Sequence, residues 1–366
     1  MQLQSVTIEV EKYRSDPSSR QWELPAWGHP FAQGILPLFI TFEDHLFPVG
    51  TAFTIGRGVP FIVSAAHNIR EAWKYEPRIS HLLTARELPK SVDLKHAGIS
   101  VLYQGANTNG GIDGTIWPLE TVEGGPPTDV VFGFPKFQTN LPTLVNRLSF
   151  DLPPVGMKVW SIGYAGFEFP LHGIPLAAVR NGTFDWQHDY SHKLLVVEGI
   201  VERIFTQKFA AGFVEGPCFT FDAEIAHAQS GGPVMSLDGL VRGINSAGAT
   251  HFFNRPASIA SLLYPHLFVQ LRFGATMGPI RVNASQSLIN LIGQGTILTD
   301  GSEERVAIRQ DEADGSFSVS PSSDKVTSDY IHDDFSAFQN DRKATRQINP
   351  VFRLRKVKRR NKADPS

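Results

Sequence analysis

Short apolar runs separated by polar turn residues make up most of this chain. Clusters of Gly, Pro, Asn and Asp lie between the runs, which is typical of strands joined by turns. Helical periodicity is rare between them, so the pattern predicts an all-β fold of antiparallel strands, closed into barrels or packed as a sandwich. The runs are ILPLFITF, VGTAFTI, PFIVSAA, GISVLY, DVVFGF, MKVWSIGY, KLLVVEGIV and LVRGINS.

Two segments have helical spacing instead. Ile259, Leu262 and Leu263 recur at three- and four-residue intervals, which predicts a short helix at 258–264. Similar spacing predicts a second short helix at 284–292. We therefore expect a helical extension after the strand-rich part of the chain.

The composition changes near residue 300. Residues 301–340 hold nine acidic and three basic side chains, whereas the last 16 residues hold seven Lys and Arg and one Asp. Few apolar residues and blocks of like charge predict a flexible tail, although VAIRQDEADGSFSV has the pattern of a hairpin. The predicted parts are an N-terminal arm at 1–28, a strand-rich domain at 29–270 with halves at 29–150 and 151–270, a helical extension at 271–300 and the tail at 301–366.

Charge and cysteine content restrict partners and compartment. The net charge of −2 gives no overall attraction to nucleic acid or to an anionic membrane. The basic stretch 353–362 favours a nucleic acid or an acidic partner, with a tail that only aids solubility as the alternative. Cys218 is the single cysteine, and no secretory signal or membrane-spanning apolar run is present. We expect a cytoplasmic protein without a membrane partner, a cofactor or a bound metal.

Three segments contain residues suited to nucleophilic catalysis. They are FIVSAAHNI around His67, PPTDVVFGF around Asp129 and AQSGGPV around Ser230. Each has an ordinary structural explanation, as an edge histidine, a turn aspartate and a structural loop. Together they supply a base, a carboxylate that orients the base, and a nucleophile in a glycine-rich turn.

These segments and their neighbours resemble the trypsin-like serine peptidases, most closely the HtrA-type bacterial branch, without a PDZ domain. The similar segments are VGTAFTIGRGVPFIVSAAHNI, GISVLYQG, TDVVFGF, GMKVWSIGYAG, VEGIVERI and FDAEIAHAQSGGPVMSLDGLVRGINSAG. The resemblance covers about residues 30–260. It implies two six-stranded antiparallel β-barrels with few short helices.

The resemblance also implies catalytic roles. His67 would be the general base, Asp129 its orienting carboxylate and Ser230 the nucleophile, with Asp93 and Asp113 as weaker alternatives for the carboxylate. The same resemblance implies no dependence on zymogen cleavage, because a neutral glutamine precedes the nucleophile.

The predicted oxyanion hole departs from the family pattern. Its donors would be the backbone amides of Ala228 and Ser230, and the family has glycine at the first of these positions. A Cβ strains a backbone conformation that favours glycine. Loss of one oxyanion donor slows such enzymes by about 100- to 1000-fold.

The segment NSAG at 245–248 is expected to pair with the substrate backbone as an added strand. Asn245, Ser246 and Ala247 are therefore the predicted substrate-binding residues. Glu224, six residues before the serine, is either the acidic floor of a specificity pocket or a surface residue.

The sequence predicts a serine endopeptidase that cleaves a polypeptide substrate through an acyl-enzyme on Ser230. The alternative is a pseudoprotease, in which the barrels bind peptides and Ala228 marks a collapsed oxyanion hole. An esterase on the same scaffold is a third interpretation, because the same site supports ester hydrolysis.

Overall fold

The computed structural model describes most of the chain and carries two β-barrels. The described residues are 10–27, 29–78, 80, 94–106, 112–124, 128–136, 145–210, 214–277, 280–310, 317–321, 326 and 328–348.

Strands dominate the described residues in both halves of the chain. The strands of the first half are β1 (Gln21–Leu24), β2 (Ile35–Phe42), β3 (His45–Ile55), β4 (Phe61–Ala65), β5 (Ala97–Ala106), β6 (Ile112–Gly124), β7 (Val130–Pro135), β8 (Arg147–Leu148), β9 (Lys158–Glu168) and β10 (Ile174–Pro175). Those of the second half are β11 (Ser191–Phe205), β12 (Lys208–Ala210), β13 (Val214–Glu215), β14 (Cys218–Phe221), β15 (Pro233–Ser236), β16 (Leu240–Gly248), β17 (Ser258–Ser261), β18 (Gln270–Met277), β19 (Ile280–Ser287), β20 (Ala307–Gln310), β21 (Phe317–Ser320) and β22 (Ile331–His332).

Helices are short except at the end of the described chain. They are α1 (Pro30–Gly34), α2 (Ala66–Arg70), α3 (Leu176–Arg180), α4 (Thr250–Phe253), α5 (Leu288–Gly293) and α6 (Phe335–Ile348). Single 3₁₀ turns span Glu71–Tyr75, Tyr264–His266, Ser302–Arg305 and Ser328–Tyr330. Within the described ranges, no helix combines the length and the apolar character needed to cross a bilayer.

The first barrel closes as a ring of six strands. Its order is β3-β2-β5-β6-β7-β4, and β4 pairs with β3 to close the ring. Alternate residues of its strands pack into different clusters, as the two-residue period of a strand requires. Leu36 and Ile62 join a cluster confined to this barrel, whereas Phe53 and Val63 join the large core that both barrels share.

The second barrel is a second ring of six strands, in the order β9-β11-β14-β17-β16-β15, with β15 pairing with β9. Tyr164 on β9 forms hydrogen bonds to the first barrel. Its main-chain N–H donates to Thr51 Oγ1 at 2.8 Å and its hydroxyl donates to the Ile35 carbonyl oxygen at 3.0 Å. The loops that carry the predicted site residues therefore meet where the barrels join.

The first predicted helix, at 258–264, was wrong, whereas the second, at 284–292, is confirmed from Leu288 onward as α5. Residues Ser258–Ser261 form β17, which pairs with β14 on one side and β16 on the other and so completes the second barrel. Backbone hydrogen bonds on both edges outweigh the local spacing that favoured a helix. The extension at 271–300 begins with the β18–β19 hairpin, and its helix is limited to α5.

Part of the segment predicted as a tail packs on the second barrel. The predicted hairpin is confirmed, because β20 and β21 pair antiparallel. Strand β22 pairs parallel with β11, and Phe335 and Phe338 of α6 pack with Phe209 and Phe253. The basic stretch 353–362 lies outside the described residues.

Two buried histidines have lowered pKa values. Burial lowers the pKa of His266 from 6.5 to about 4, and burial is also the main cause that lowers the pKa of His192 to about 3. His266 Nε2 lies 2.8 Å from Thr128 Oγ1. Both rings are therefore neutral in the folded protein at pH values where the unfolded chain binds protons.

We expect the free energy of unfolding to fall as the pH drops below the unfolded pKa of 6.5 toward the folded value of about 4. The unfolded state gains the proton in this window, at about 1.4 kcal/mol per pH unit for each histidine. Replacing His266 with Gln should make the dependence shallower in urea unfolding at several pH values. The exposed His188→Gln variant is the control, and equal slopes in His266→Gln and the native chain would contradict this account.

Candidate active site

The candidate base and carboxylate are brought together within the first barrel. Strand β4 ends at Ala65, which pairs with Val130 of β7, so His67 at the start of α2 lies beside Asp129 at the start of β7. His67 Nδ1 lies 2.8 Å from Asp129 Oδ2, and the His67 main-chain N–H donates to Oδ1 at 3.0 Å. A carboxylate at this position holds the proton on Nδ1 and leaves Nε2 as the acceptor.

Burial differs between the two partners. Asp129 is 4% exposed, whereas the His67 side chain is 40% exposed. The ring is thus anchored on its inner side and reachable from solvent on its outer side. Of the two alternatives for the carboxylate, Asp113 lies on β6 opposite Gly105, and Asp93 lies outside the described residues.

A guanidinium group also reaches the carboxylate. Arg70 Nη2 lies 3.7 Å from Asp129 Oδ1, one turn of α2 beyond His67. Sequence reasoning missed this residue, although its position three residues after the histidine places it on the same helix face. The positive charge attracts the carboxylate and competes with the imidazole for it.

The Ser230 turn is held against the first barrel. The Ser230 carbonyl oxygen accepts from the Thr51 main-chain N–H at 2.9 Å and from Asn68 Nδ2 at 2.8 Å. Gly231 has φ +89, and a Cβ there would collide with the Thr51 carbonyl oxygen. This position requires glycine for both its backbone conformation and the close approach of the barrels.

The Ser230 hydroxyl bonds to a carbonyl group rather than to the base. Oγ donates to the Ser246 carbonyl oxygen at 3.2 Å, and within the described residues no hydrogen bond joins it to His67. Ser246 is skipped by a register shift in the pairing of β16 with β17, which lies between Asn245 and Ala247. Such an irregularity re-aims backbone groups beside active sites.

Ala228 adopts a backbone conformation with positive φ, which favours glycine. Its φ is +72, one of four positive φ values among the described non-glycine residues. A left-handed conformation costs a residue with a Cβ about 1–2 kcal/mol. The Ala228 carbonyl oxygen accepts a hydrogen bond from Thr51 Oγ1 at 2.8 Å, which satisfies it although it is buried.

The Ser230 N–H points away from the side of the turn on which the Gln229 carbonyl oxygen is hydrogen-bonded. The Gln229 carbonyl oxygen, in the same peptide unit, accepts from the Gly232 N–H at 3.0 Å and from Asn245 Nδ2 at 3.3 Å. Because N–H and C=O point in opposite directions across a trans peptide, the Ser230 N–H points outward. In the described part of the chain, neither this amide nor that of Ala228 has a hydrogen-bond acceptor. Two unpaired amides are what an oxyanion hole needs.

The predicted substrate-binding residues separate into two groups. Asn245 was expected to contact substrate, but it is 0% exposed and bonds to the turn instead: its N–H donates to the Gly232 carbonyl oxygen and its carbonyl oxygen accepts from the Gly231 N–H. Ser246 offers its carbonyl group to the site, and Ala247 is partly exposed.

Glu224 lies on the surface, so it forms no buried acidic floor. Gln229 is fully buried, and its side chain bonds to Ala226 and Leu195 at 2.6 Å and 3.3 Å. The residue before the nucleophile therefore stabilises the turn through a neutral amide.

Other chemically active groups lie apart from this site. Among the described residues, no group of three or more His, Cys, Asp or Glu side chains is placed to hold a metal ion. Cys218 is buried and free, and burial raises the pKa of its thiol. A buried thiol with a raised pKa is a poor nucleophile.

Comparison with known proteins gives matches only among solved structures. Neither a protein-family model nor a curated protein sequence matches this chain. The MamO protease domain from Magnetospirillum magneticum, in its apo form, is 19% identical with a TM-score of 0.36, over 64% of this chain and 94% of that chain. The active form of the Rv3671c protease from M. tuberculosis is 14% identical with a TM-score of 0.38, over 68% of this chain and 88% of that chain.

The architecture itself identifies the fold. Two closed six-stranded antiparallel barrels, joined by the segment that leads into β9, form the trypsin-like serine peptidase fold. The fold expected from the sequence is therefore confirmed.

The backbone strain at Ala228 leads to a testable prediction about stability. We expect Ala228→Gly to raise the free energy of unfolding by about 0.5–1 kcal/mol, because removing the left-handed strain outweighs the entropy that glycine gains in the unfolded chain. Urea unfolding at pH 7 measures the change.

The matched control is Ala226→Gly in the same turn, where φ is not positive. This change should lower stability by about 0.5–1 kcal/mol, because it adds unfolded-state entropy without relieving strain. Equal losses in the two variants would contradict the conformation described for Ala228.

Proposed function

We propose that this protein is a serine endopeptidase that hydrolyses peptide bonds through an acyl-enzyme on Ser230. The observation that carries the proposal is the convergence of the His67–Asp129 pair and the Ser230 turn where the barrels join. His67 Nδ1 lies 2.8 Å from Asp129 Oδ2. Asn68, the residue after His67, donates from Nδ2 to the Ser230 carbonyl oxygen at 2.8 Å. A fold has no structural need to place a nucleophile, a base and two unpaired amides together.

The proposed reaction begins when the Ser230 hydroxyl leaves the Ser246 carbonyl oxygen and turns to His67. Nε2 accepts the hydroxyl proton as Oγ attacks the peptide carbonyl carbon, and Asp129 stabilises the imidazolium that forms. The amides of Ala228 and Ser230 donate to the oxyanion. His67 then gives its proton to the leaving amine, and a water molecule repeats the sequence on the acyl-enzyme.

The substrate in this proposal is an extended polypeptide. The carbonyl of Ser246 and the exposed end of β16 offer backbone groups to which a substrate strand can pair. Part of the hydrogen bonding is then independent of side-chain identity. A cytoplasmic location, and an acidic or nucleic-acid partner for residues 353–362, remain predictions from the sequence.

Two observations favour the second candidate function, a peptide-binding pseudoprotease. Ser230 Oγ bonds to Ser246 at 3.2 Å instead of to His67, and Ala228 is strained. Hydrogen bonds between catalytic groups are often long or absent in a free enzyme and form in the complex. The two candidates therefore differ in whether Ser230 reacts.

Labelling with a fluorophosphonate probe tests the proposal. The native chain should be labelled at one site, and Ser230→Ala should not be labelled, because the phosphorus atom must be attacked by an activated serine oxygen. His67→Ala should slow labelling by at least about 1000-fold, because the base is lost. In-gel fluorescence and peptide mapping measure the extent and the site.

Native chain that is folded by circular dichroism but unlabelled would refute the enzyme and support the pseudoprotease. Ser18→Ala, at an exposed serine whose hydroxyl bonds to Asp16, serves as the control and should be labelled like the native chain. Cleavage of p-nitrophenyl acetate without cleavage of denatured casein would replace the endopeptidase with an esterase.

A further inference from the structure

Thr51 of the first barrel lies fully buried against the nucleophile turn of the second. Its hydroxyl donates to the Ala228 carbonyl oxygen at 2.8 Å, and its main-chain N–H donates to the Ser230 carbonyl oxygen at 2.9 Å. Thr51 therefore contacts the turn on both sides of the peptide unit that carries the Ser230 N–H.

The Thr51 side chain is itself held in place. Its Oγ1 accepts from the Tyr164 N–H at 2.8 Å, and this acceptance directs the hydroxyl proton to Ala228. The Thr51 carbonyl oxygen accepts from Ser64 Oγ at 2.7 Å. A donor with so little freedom fixes the direction of the carbonyl group that it binds.

Ala228 gives this hydrogen bond a particular importance. The left-handed conformation costs alanine about 1–2 kcal/mol, and a buried hydrogen bond contributes about 0.5–1.5 kcal/mol. The two effects are of similar size, so the bond from Thr51 offsets the strain. Without the hydroxyl, the buried Ala228 carbonyl oxygen loses its donor and regains one only if the turn rotates.

Rotation of the turn has opposite consequences for alanine and glycine at position 228. Alanine gains by leaving the left-handed region, whereas glycine accepts both signs of φ with little preference. A rotated turn moves the amides of residues 228 and 230 away from the position of the oxyanion. The effect of losing the hydroxyl should therefore depend on the residue at position 228.

We propose that Thr51 is a positioning residue of the Ser230 site, whose hydroxyl keeps Ala228 left-handed and so maintains the oxyanion hole. The chain thereby compensates, from the opposite barrel, for the absence of glycine at position 228. The proposal rests on the proposed function for its kinetic effect, but its structural effect does not require catalysis.

The test is the second-order rate constant of fluorophosphonate labelling in four variants, corrected for the folded fraction. Thr51→Val should slow labelling by about 10- to 100-fold, since a displaced oxyanion donor costs up to about 100- to 1000-fold. Thr51→Val combined with Ala228→Gly should stay within about threefold of Ala228→Gly alone, because glycine does not drive the rotation.

Thr220→Val is the matched control, because Thr220 is also fully buried but its hydroxyl has no hydrogen-bond partner among the described residues. It should label within about twofold of the native chain, since the same isosteric change leaves no group of the turn unpaired. If Thr51→Val does not fold, Thr51→Ala replaces it in the same comparison. Labelling of the single Thr51 variant within threefold of native, or failure of Ala228→Gly to restore the rate, would overturn the proposal.

A crystal structure of Thr51→Val separates this proposal from the proposed function. We expect φ of Ala228 to leave the left-handed region, and a retained value near +72 would overturn the role of Thr51. Absence of labelling in the native chain would instead refute the peptidase, and the crystal structure would still decide on Thr51.

Discussion

The site depends on the hydrogen bonds that join the Ser230 turn of the second barrel to β3 and α2 of the first. Each barrel closes on its own strand ladders, so neither needs the other for most of its backbone hydrogen bonds. The carbonyl groups of residues 228 and 230 are different, because their donors, Thr51 and Asn68, belong to the first barrel. An unpaired carbonyl group in the protein interior is costly, so the conformation of the turn depends on its contact with the first barrel.

The base is assembled in another way. His67 and Asp129 belong to the same barrel and are brought together by the ladder between β4 and β7. Their contact therefore requires only the first barrel, whereas the geometry of Ser230 requires both. A rearrangement between the barrels would change the nucleophile and the oxyanion donors while leaving the His67–Asp129 pair intact. The two candidate functions therefore differ at the Ser230 turn and not at the His67–Asp129 pair.

Much of the fold and of the candidate site was predictable, and the failures have physical causes. His67, Asp129 and Ser230 were predicted because His67 follows an apolar run, Asp129 precedes one and Ser230 stands in a glycine-rich turn. The resemblance of these ordered segments to a known family supplied their expected roles. The helix at 258–264 was wrong because residues spaced three and four apart also occur in a strand bonded on both edges. Asn245 was predicted to bind substrate because the sequence gives its position in a strand but not the direction of its side chain. That side chain is buried behind the turn.

The sequence by itself determined the class of fold, the order of the strands and the residue types at the site, including an alanine where strain was expected. Those properties follow from apolar spacing and turn residues, which act over a few positions. Only the tertiary structure decided that Ala228 keeps its strained backbone conformation, because the hydroxyl that binds its carbonyl oxygen belongs to Thr51, 177 residues away in sequence. Hydrogen-bond satisfaction of buried carbonyl groups is a long-range property, because the partner is chosen by how the barrels pack.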